Sequence, residues 1–271
     1  MAPVKVQASY YQQFDADYSR DVPAEGYGGW RKAVIEIAPE HTAVVLMHAW
    51  DCGTLEEYPG WWQACDEIPR TYHVCRTVLP GLLAAVRASG PALFHVVAAG
   101  DYYRGCPGYR RAAALAGEPP PAPERIAPDP VWRALGEFRS KNAFPGAHNE
   151  ADINRGWARV GFPPEAAPVG EEGVAENTEQ LFALCKEGGI NHLVYAGFNV
   201  DWCLLMSSGG MIDMSRHGLI CSVLRQATTA VENKETARRE LCKEIGLWRV
   251  AINFGFVFDV DDFVRAIGGQ R

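Results

Sequence analysis

Four short apolar runs, separated by stretches with helical patterns, constrain the fold of this chain more than any other feature. They occupy residues 42–47, 92–99, 190–197 and 219–224. Continuous apolar runs of this length are typical of strands buried on both faces of a parallel sheet. Because helical segments alternate with them, right-handed βαβ crossovers are expected. The sequence therefore predicts an α/β fold: one domain with a mostly parallel sheet of about six strands and helices on both faces.

The first part of the chain differs from the rest. Residues 1–40 combine tyrosine and tryptophan with glycine and proline, which predicts an aromatic, turn-rich N-terminal extension, whereas residues 41–271 hold the α/β domain. The formal charge of −7 argues against nucleic acid and anionic membranes as partners. No apolar run approaches the ~20 residues that span a bilayer. The start lacks a signal-peptide pattern, so we expect a cytoplasmic protein with reduced thiols.

Cys203 is the first candidate for chemistry. In open parallel sheets, ligands bind beyond the carboxyl ends of the strands, and Cys203 follows the third apolar run closely. We expect it in the first turn of a helix over residues 202–217, with Asp201 as the N-cap. A thiol there feels the positive end of the helix, which favours thiolate. The alternative is a buried structural cysteine, the usual fate of a free thiol.

The segment around this cysteine carries a resemblance. Gly197-Phe-Asn-Val-Asp-Trp-Cys203 resembles the G-x-x-x-D-x-C signature of the isochorismatase-like cysteine hydrolases, which include nicotinamidases, N-carbamoylsarcosine amidohydrolases and biuret hydrolases. The resemblance implies that Cys203 attacks an amide or ureide carbonyl and forms an acyl-enzyme. It also implies a cis peptide bond between Phe198 and Asn199 that helps to form an oxyanion hole.

A second segment is similar to the family more loosely. Ser140-Lys-Asn-Ala-Phe resembles the family's K-x-x-x-[SA]-x-F pattern, and residues 135–144 are expected to hold a short strand. The resemblance implies that Lys141 lies beside Cys203 and stabilises its thiolate. Without that resemblance, Lys141 would be interpreted as a solvated surface lysine.

The first strand departs from the family. Aligning Trp50-Asp51 with the family's W-D pair puts His48 at the position of the catalytic aspartate. A cysteine and a histidine can share a proton as thiolate and imidazolium, so His48 is a candidate acid/base. Asp51, three residues later, is the alternative. A site that has lost hydrolysis is the third interpretation.

Other features limit the chemistry. No H-x-x-H or H-E-x-x-H spacing, Walker loop or G-x-G-x-x-G motif occurs, so neither a metal nor a nucleotide cofactor is expected. The aromatic residues Tyr58, Trp61 and Trp62 predict a core or subunit interface, or alternatively the wall of a pocket for a small, flat substrate.

These observations predict a cofactor-independent cysteine hydrolase that cleaves a C–N bond in a small amide or ureide. The alternative is a non-hydrolytic relative that binds a small carbonyl compound or acts as an assembly subunit. Vinyl ether hydrolysis is a third interpretation, and Cys203 argues against it because relatives of that kind usually lack the nucleophilic cysteine. The expected partner is a small-molecule substrate, and the family resemblance implies a homodimer or homotetramer.

Overall fold

The computed structural model describes residues 2–118 and 121–269 of the chain. Within these residues, one sheet of eight strands runs in the order β2-β1-β8-β7-β6-β3-β4-β5. The strands are β1 (Val4–Gln12), β2 (Gly29–Ile37), β3 (Thr42–Met47), β4 (Ala92–Val96), β5 (Gly173–Ala175), β6 (His192–Gly197), β7 (Ile220–Thr228) and β8 (Val257–Phe258).

Strands β3 to β8 pair in parallel, which confirms the predicted α/β class with a mostly parallel sheet. Every residue of β3 and of β6 is buried, as continuous apolar strands at the centre of a covered sheet must be. Alternate side chains point to opposite faces, so Val45 and Met47 join one hydrophobic layer while Val44 and Leu46 join the other. The carboxyl ends of β3 and β6 therefore lie side by side.

The N-terminal residues, which the sequence predicts to be a turn-rich extension, contribute two strands to the sheet on either side of a turn-rich segment at residues 13–28. β1 pairs antiparallel with β2 over its whole length, from Val4 opposite Ile37 to Gln12 opposite Gly29. β1 also pairs antiparallel with β8, so the two strands extend the same sheet. The missed signal is a period of two in β1, where Val4, Val6 and Ala8 are buried and the residues between them are exposed.

Helices cover both faces of the sheet. They are α1 (Pro59–Ala64), α2 (Ile68–Thr77), α3 (Leu79–Arg87), α4 (Pro107–Ala116), α5 (Pro130–Asn142), α6 (Glu150–Trp157), α7 (Thr178–Gly188), α8 (Cys203–Met206), α9 (Met211–Arg216), α10 (Leu241–Asn253) and α11 (Val260–Gly268). Among the described residues, no helix is long and apolar enough to cross a membrane.

Two of these helices correct the sequence-based expectations. Residues 202–217 form the two short helices α8 and α9 rather than one, because the chain turns at Gly209, where φ is +77°. Residues 135–144 do not form a strand. Asp129 accepts hydrogen bonds from the N–H groups of Val131 and Trp132 and thereby starts α5, with Pro130 in its first turn.

Candidate active site

A tight turn at the end of β6 positions Cys203. Gly197 has φ of +110°, and a Cβ at this position would lie 2.0 Å from the carbonyl oxygen of Met47 on the neighbouring strand. The N–H of Phe198 donates to that same oxygen at 3.0 Å. The Phe198–Asn199 peptide bond is cis. α8 then begins at Cys203, beyond the carboxyl edge of the sheet.

Asp201 does not have the predicted role. The N-cap of α8 is Trp202, and the Asp201 carboxylate instead accepts a hydrogen bond from the N–H of Val231 at 3.0 Å. α8 spans only four residues, so the macrodipole that the sequence reasoning assigned to a long helix is small here. The carboxylate of Asp201 holds two loops together at the edge of the site.

The surroundings of the Cys203 sulfur raise the pKa of the thiol. Burial is the largest cause, and the negative charges of Asp201 and Glu67 act in the same direction. The Ser207 side chain and the backbone N–H of Asn199 lower the pKa through hydrogen bonds, but they do not outweigh burial. Cys203 is therefore a thiol at rest and needs a proton acceptor to become a nucleophile.

Cys203 borders a cavity of about 460 Å³. Six of its lining residues are aromatic: Trp50, Trp61, Phe144, Trp157, Phe198 and Trp202. Its polar side chains are His48, Glu67, Thr71, Asn199, Cys203 and Glu232. Among the described residues, no lysine or arginine lines the cavity. The cavity volume lies within the range of small-molecule sites, roughly 300–1,000 Å³.

The aromatic residues singled out in the sequence divide between the two interpretations. Tyr58 and Trp61 are buried in a small core beneath the cavity, and Trp61 also forms part of its wall. Trp62 stacks on Tyr72 with ring centroids 6.0 Å apart and lines a different surface depression. Trp61 is thus both a core residue and a pocket residue.

His48 lies in the cavity wall. It follows the last residue of β3 with φ of +54°, is 4% exposed, and stacks on Trp50 with ring centroids 4.5 Å apart. Within the described part of the chain, no hydrogen-bond partner reaches its Nδ1. Burial lowers the pKa of His48 to about 4, so the ring is neutral near pH 7. The structure therefore places His48 in the site but not as an imidazolium beside the thiolate.

Asp51 is not in this cavity, which corrects its candidacy as the alternative acid/base. Its side chain is exposed and accepts hydrogen bonds from the Tyr72 hydroxyl at 2.5 Å and from the N–H of Gly53 at 3.1 Å. Its backbone N–H donates to the carbonyl of Gly161. These contacts fold the loop after β3 and hold the carboxylate outside the cavity that Cys203 borders.

Lys141 is likewise outside the site. It lies on exposed α5 and forms an ion pair with Glu137, whose carboxylate raises the pKa of Lys141. Residues 135–144 were expected to form a strand, but the helix that starts at Pro130 includes position 141 and none of its residues is buried. Phe144, just after the helix, contributes to the cavity instead.

Glu67 is a cavity residue that the sequence reasoning missed. It precedes α2, and its Oε1 accepts a hydrogen bond from the side-chain Nδ2 of Asn199 at 3.4 Å. Burial raises the pKa of Glu67, and among the described residues nothing bonds its buried Oε2. The only signal in the sequence was an acidic residue immediately before the helix that starts at Ile68-Pro69. Acidic residues are common at helix starts, so this position alone does not indicate a site residue.

A metal site is not apparent in the described residues: no group of three or more His, Cys, Asp and Glu side chains has a suitable arrangement.

Comparison with known proteins gives structural likeness only. No protein-family model and no curated protein matches the chain. A cysteine hydrolase from Pseudomonas syringae pv. phaseolicola 1448A is 13% identical, with 87% of this chain and 96% of that chain covered and a TM-score of 0.49. An isochorismatase-like hydrolase from Alkaliphilus metalliredigens is 16% identical, with coverage of 83% and 98% and a TM-score of 0.48.

A candidate isochorismatase from Burkholderia xenovorans LB400 reaches a TM-score of 0.50 at 14% identity, with coverage of 86% of this chain and 89% of that chain. Identity at this level shows the fold and not the activity. The parallel strands, the turn after β6 and this likeness together establish that the chain has the isochorismatase-like fold.

Proposed function

We propose that the chain is a cysteine hydrolase of the isochorismatase-like family that cleaves a C–N bond in a small amide or ureide. The observation that carries the proposal is the position of Cys203, at a turn beyond the central strand β6 and in the wall of a substrate-sized cavity. Asn199, whose backbone N–H bonds the sulfur, lines the same cavity. A nucleophile and hydrogen-bond donors around one cavity are what acyl transfer requires.

The proposed reaction has two halves. The sulfur of Cys203 attacks the carbonyl carbon, the C–N bond breaks, and the nitrogen leaves as an amine or ammonia after gaining a proton. The resulting thioester is hydrolysed by water, which releases the acid and restores the thiol. Backbone N–H groups of the turn around Phe198 and Asn199 would stabilise the negative charge that develops on the carbonyl oxygen.

The cavity wall indicates which amides fit. Burial would raise the pKa of Glu232, but hydrogen bonds from Thr236 and from the N–H groups of Cys242 and Lys243 hold it below its ordinary value. Glu232 is therefore a carboxylate at neutral pH, and among the described residues no lysine or arginine lines the cavity to balance its charge. We propose an uncharged or cationic substrate with a flat apolar body, which aromatic walls favour.

The test uses the full chain with benzamide, phenylurea and the anion 2-carbamoylbenzoate, and it measures ammonia release together with intact mass. We expect ammonia from at least one uncharged compound, none from the anion, and a thioester adduct on Cys203 in the intact mass. Cys203→Ala should lose both signals, whereas Cys106→Ala, which changes a thiol outside the cavity, should keep them. Turnover by Cys203→Ala at the wild-type rate would refute the proposal.

A second candidate is a non-hydrolytic protein that binds a small carbonyl compound. The observation that favours it is the resting state of Cys203, whose pKa is raised and which has neither Lys141 nor Asp51 beside it. Calorimetry separates the two candidates, because saturable heat of binding without ammonia or adduct would favour the binding protein.

We also propose that the protein is a cytoplasmic homodimer or homotetramer. Helix α5 supports self-association, because Val131, Trp132, Leu135 and Phe138 are 62–68% exposed on it. An isolated helix of this length is marginal in water, so an apolar face of this kind calls for a covering partner. All eight cysteines are free thiols, which suits a reducing compartment. Light scattering of Trp132→Glu against wild type should show loss of the oligomer.

A further inference from the structure

We propose that Glu67 is the catalytic acid/base of the Cys203 site: it takes the thiol proton and delivers it to the leaving nitrogen. This inference rests on the proposed hydrolase function and assigns the proton transfer, for which Asp51 and Lys141 lie outside the cavity.

The two carboxylates of the cavity wall have different partners. Both oxygens of Glu232 accept backbone N–H bonds, from Cys242 and Lys243 at 3.1 Å each, so this side chain holds the start of α10. Glu67 has a long bond to Asn199 on Oε1 and, within the described residues, no partner on the buried Oε2. A buried acceptor without a partner is costly, and a substrate N–H or thiol proton would satisfy it.

Asn199 connects Glu67 to the nucleophile. Its backbone N–H bonds the Cys203 sulfur, and its side-chain Nδ2 donates to Oε1 of Glu67 at 3.4 Å. The hydroxyl of Thr229 donates to Oδ1 of Asn199 at 2.5 Å, so the amide group must turn its N–H₂ end toward Glu67. One oriented residue thus contacts both the thiol and the carboxyl group.

The electrostatics agree with this geometry. Burial raises the pKa of Glu67, which brings the carboxyl closer to neutral pH, where an acid/base is most effective. The charge of Glu67 also raises the pKa of Cys203, which requires the two groups to be near each other. His48 is the weaker base, because burial lowers its pKa to about 4.

The steps balance without a further reactant. In acylation, the Glu67 carboxylate takes the thiol proton as the S–C bond forms and the carbonyl π electrons move to oxygen. When that oxyanion collapses, the C–N bond breaks and the Glu67 carboxyl protonates the leaving nitrogen. In deacylation, the carboxylate takes a proton from water as the new C–O bond forms. The C–S bond then breaks, and the thiolate regains its proton from Glu67.

The test compares two leaving groups on the Glu67→Gln variant of the full chain. The nitrogen of benzamide must be protonated before it can leave. The leaving group of 4-nitrophenyl acetate is 4-nitrophenolate, a stable anion that needs no proton. We expect the rate of ammonia release from benzamide to fall by ~10²–10⁴-fold, the usual contribution of one acid/base. The burst of 4-nitrophenolate should fall less, because this substrate loses only the acceptor of the thiol proton and needs no acid for its leaving group. The pH midpoint of Cys203 alkylation by iodoacetamide should fall, because a neighbouring negative charge is lost.

Control variants distinguish a wrong role for Glu67 from a wrong assignment of the hydrolase function. Glu56→Gln removes an exposed carboxylate outside the cavity and should behave as wild type. Glu67→Asp keeps a carboxyl group and should restore part of the benzamide rate. This variant tests the role of the carboxyl group even if Glu67→Gln fails to fold. Equal slowing of both substrates, or full benzamide activity in Glu67→Gln, would overturn the role of Glu67. A wild-type protein that forms no thioester would instead overturn the hydrolase function.

Discussion

Replacing Gly197 by alanine should be among the most damaging small substitutions in the chain. Its φ of +110° is a conformation that side chains rarely adopt, and such strain costs ~1–3 kcal/mol. The added Cβ would also meet Met47 at 2.0 Å from its carbonyl oxygen and 2.8 Å from its nitrogen. Both atoms belong to the backbone of the paired central strand β3, so they cannot move aside cheaply. Overpacking of this kind adds ~1–3 kcal/mol.

The two contributions sum to about 2–6 kcal/mol, a large part of the ~5–15 kcal/mol that stabilises a typical domain. The assay is urea unfolding of the full chain, followed by circular dichroism. With an m value of about 3 kcal/mol per molar, the midpoint should fall by ~0.7–2 M.

Gly218→Ala is the matched control. Gly218 has φ of +85°, but nothing lies within 4 Å of the position where a Cβ would be. Only the conformational cost of about 1–2 kcal/mol applies, which is ~0.3–0.7 M in urea. If Gly197→Ala shifts the midpoint no further than Gly218→Ala, the argument that the β3–β6 contact sets the turn is wrong.

Further expectations concern charge and proton position. The pH midpoint of Cys203 alkylation should lie above that of an ordinary thiol, because burial raises its pKa; a midpoint near neutrality would contradict this. Lys141→Met should leave that midpoint unchanged, and a rise would return Lys141 to the site. Asp51→Asn should lower the free energy of unfolding by ~1 kcal/mol through the bond with Tyr72 while leaving turnover intact, as chemical denaturation and kinetics can check. The His48 ring should titrate near pH 4 by NMR. Because the pKa of His48 is lower in the folded state than the value of 6.5 expected for the unfolded chain, the folded state should lose stability as the pH falls from 6.5 to about 4.

Much of the fold was predictable from local patterns. The run at residues 42–47 is uniformly apolar, and only a strand covered on both faces buries every residue of such a run. The turn from Gly197 to Cys203 was readable because glycine is required where φ is positive next to another backbone. The sequence alone therefore indicated the parallel sheet and the turn that carries Cys203 beyond its carboxyl edge.

The side chains that surround Cys203 depended on tertiary structure. Lys141 was predicted to be a site residue from its resemblance to a family motif, but it lies on the exposed surface of α5. Glu67 is 136 positions earlier in the chain than Cys203, and its position at the start of α2 places it in the cavity wall. Likewise, β1 was recognisable as part of the sheet only once β8 supplied an edge to pair with. Local periodicity indicates which side of one segment is buried. Which distant side chains meet at a cavity depends instead on how the helices pack across the sheet, and that packing is determined by residues throughout the chain.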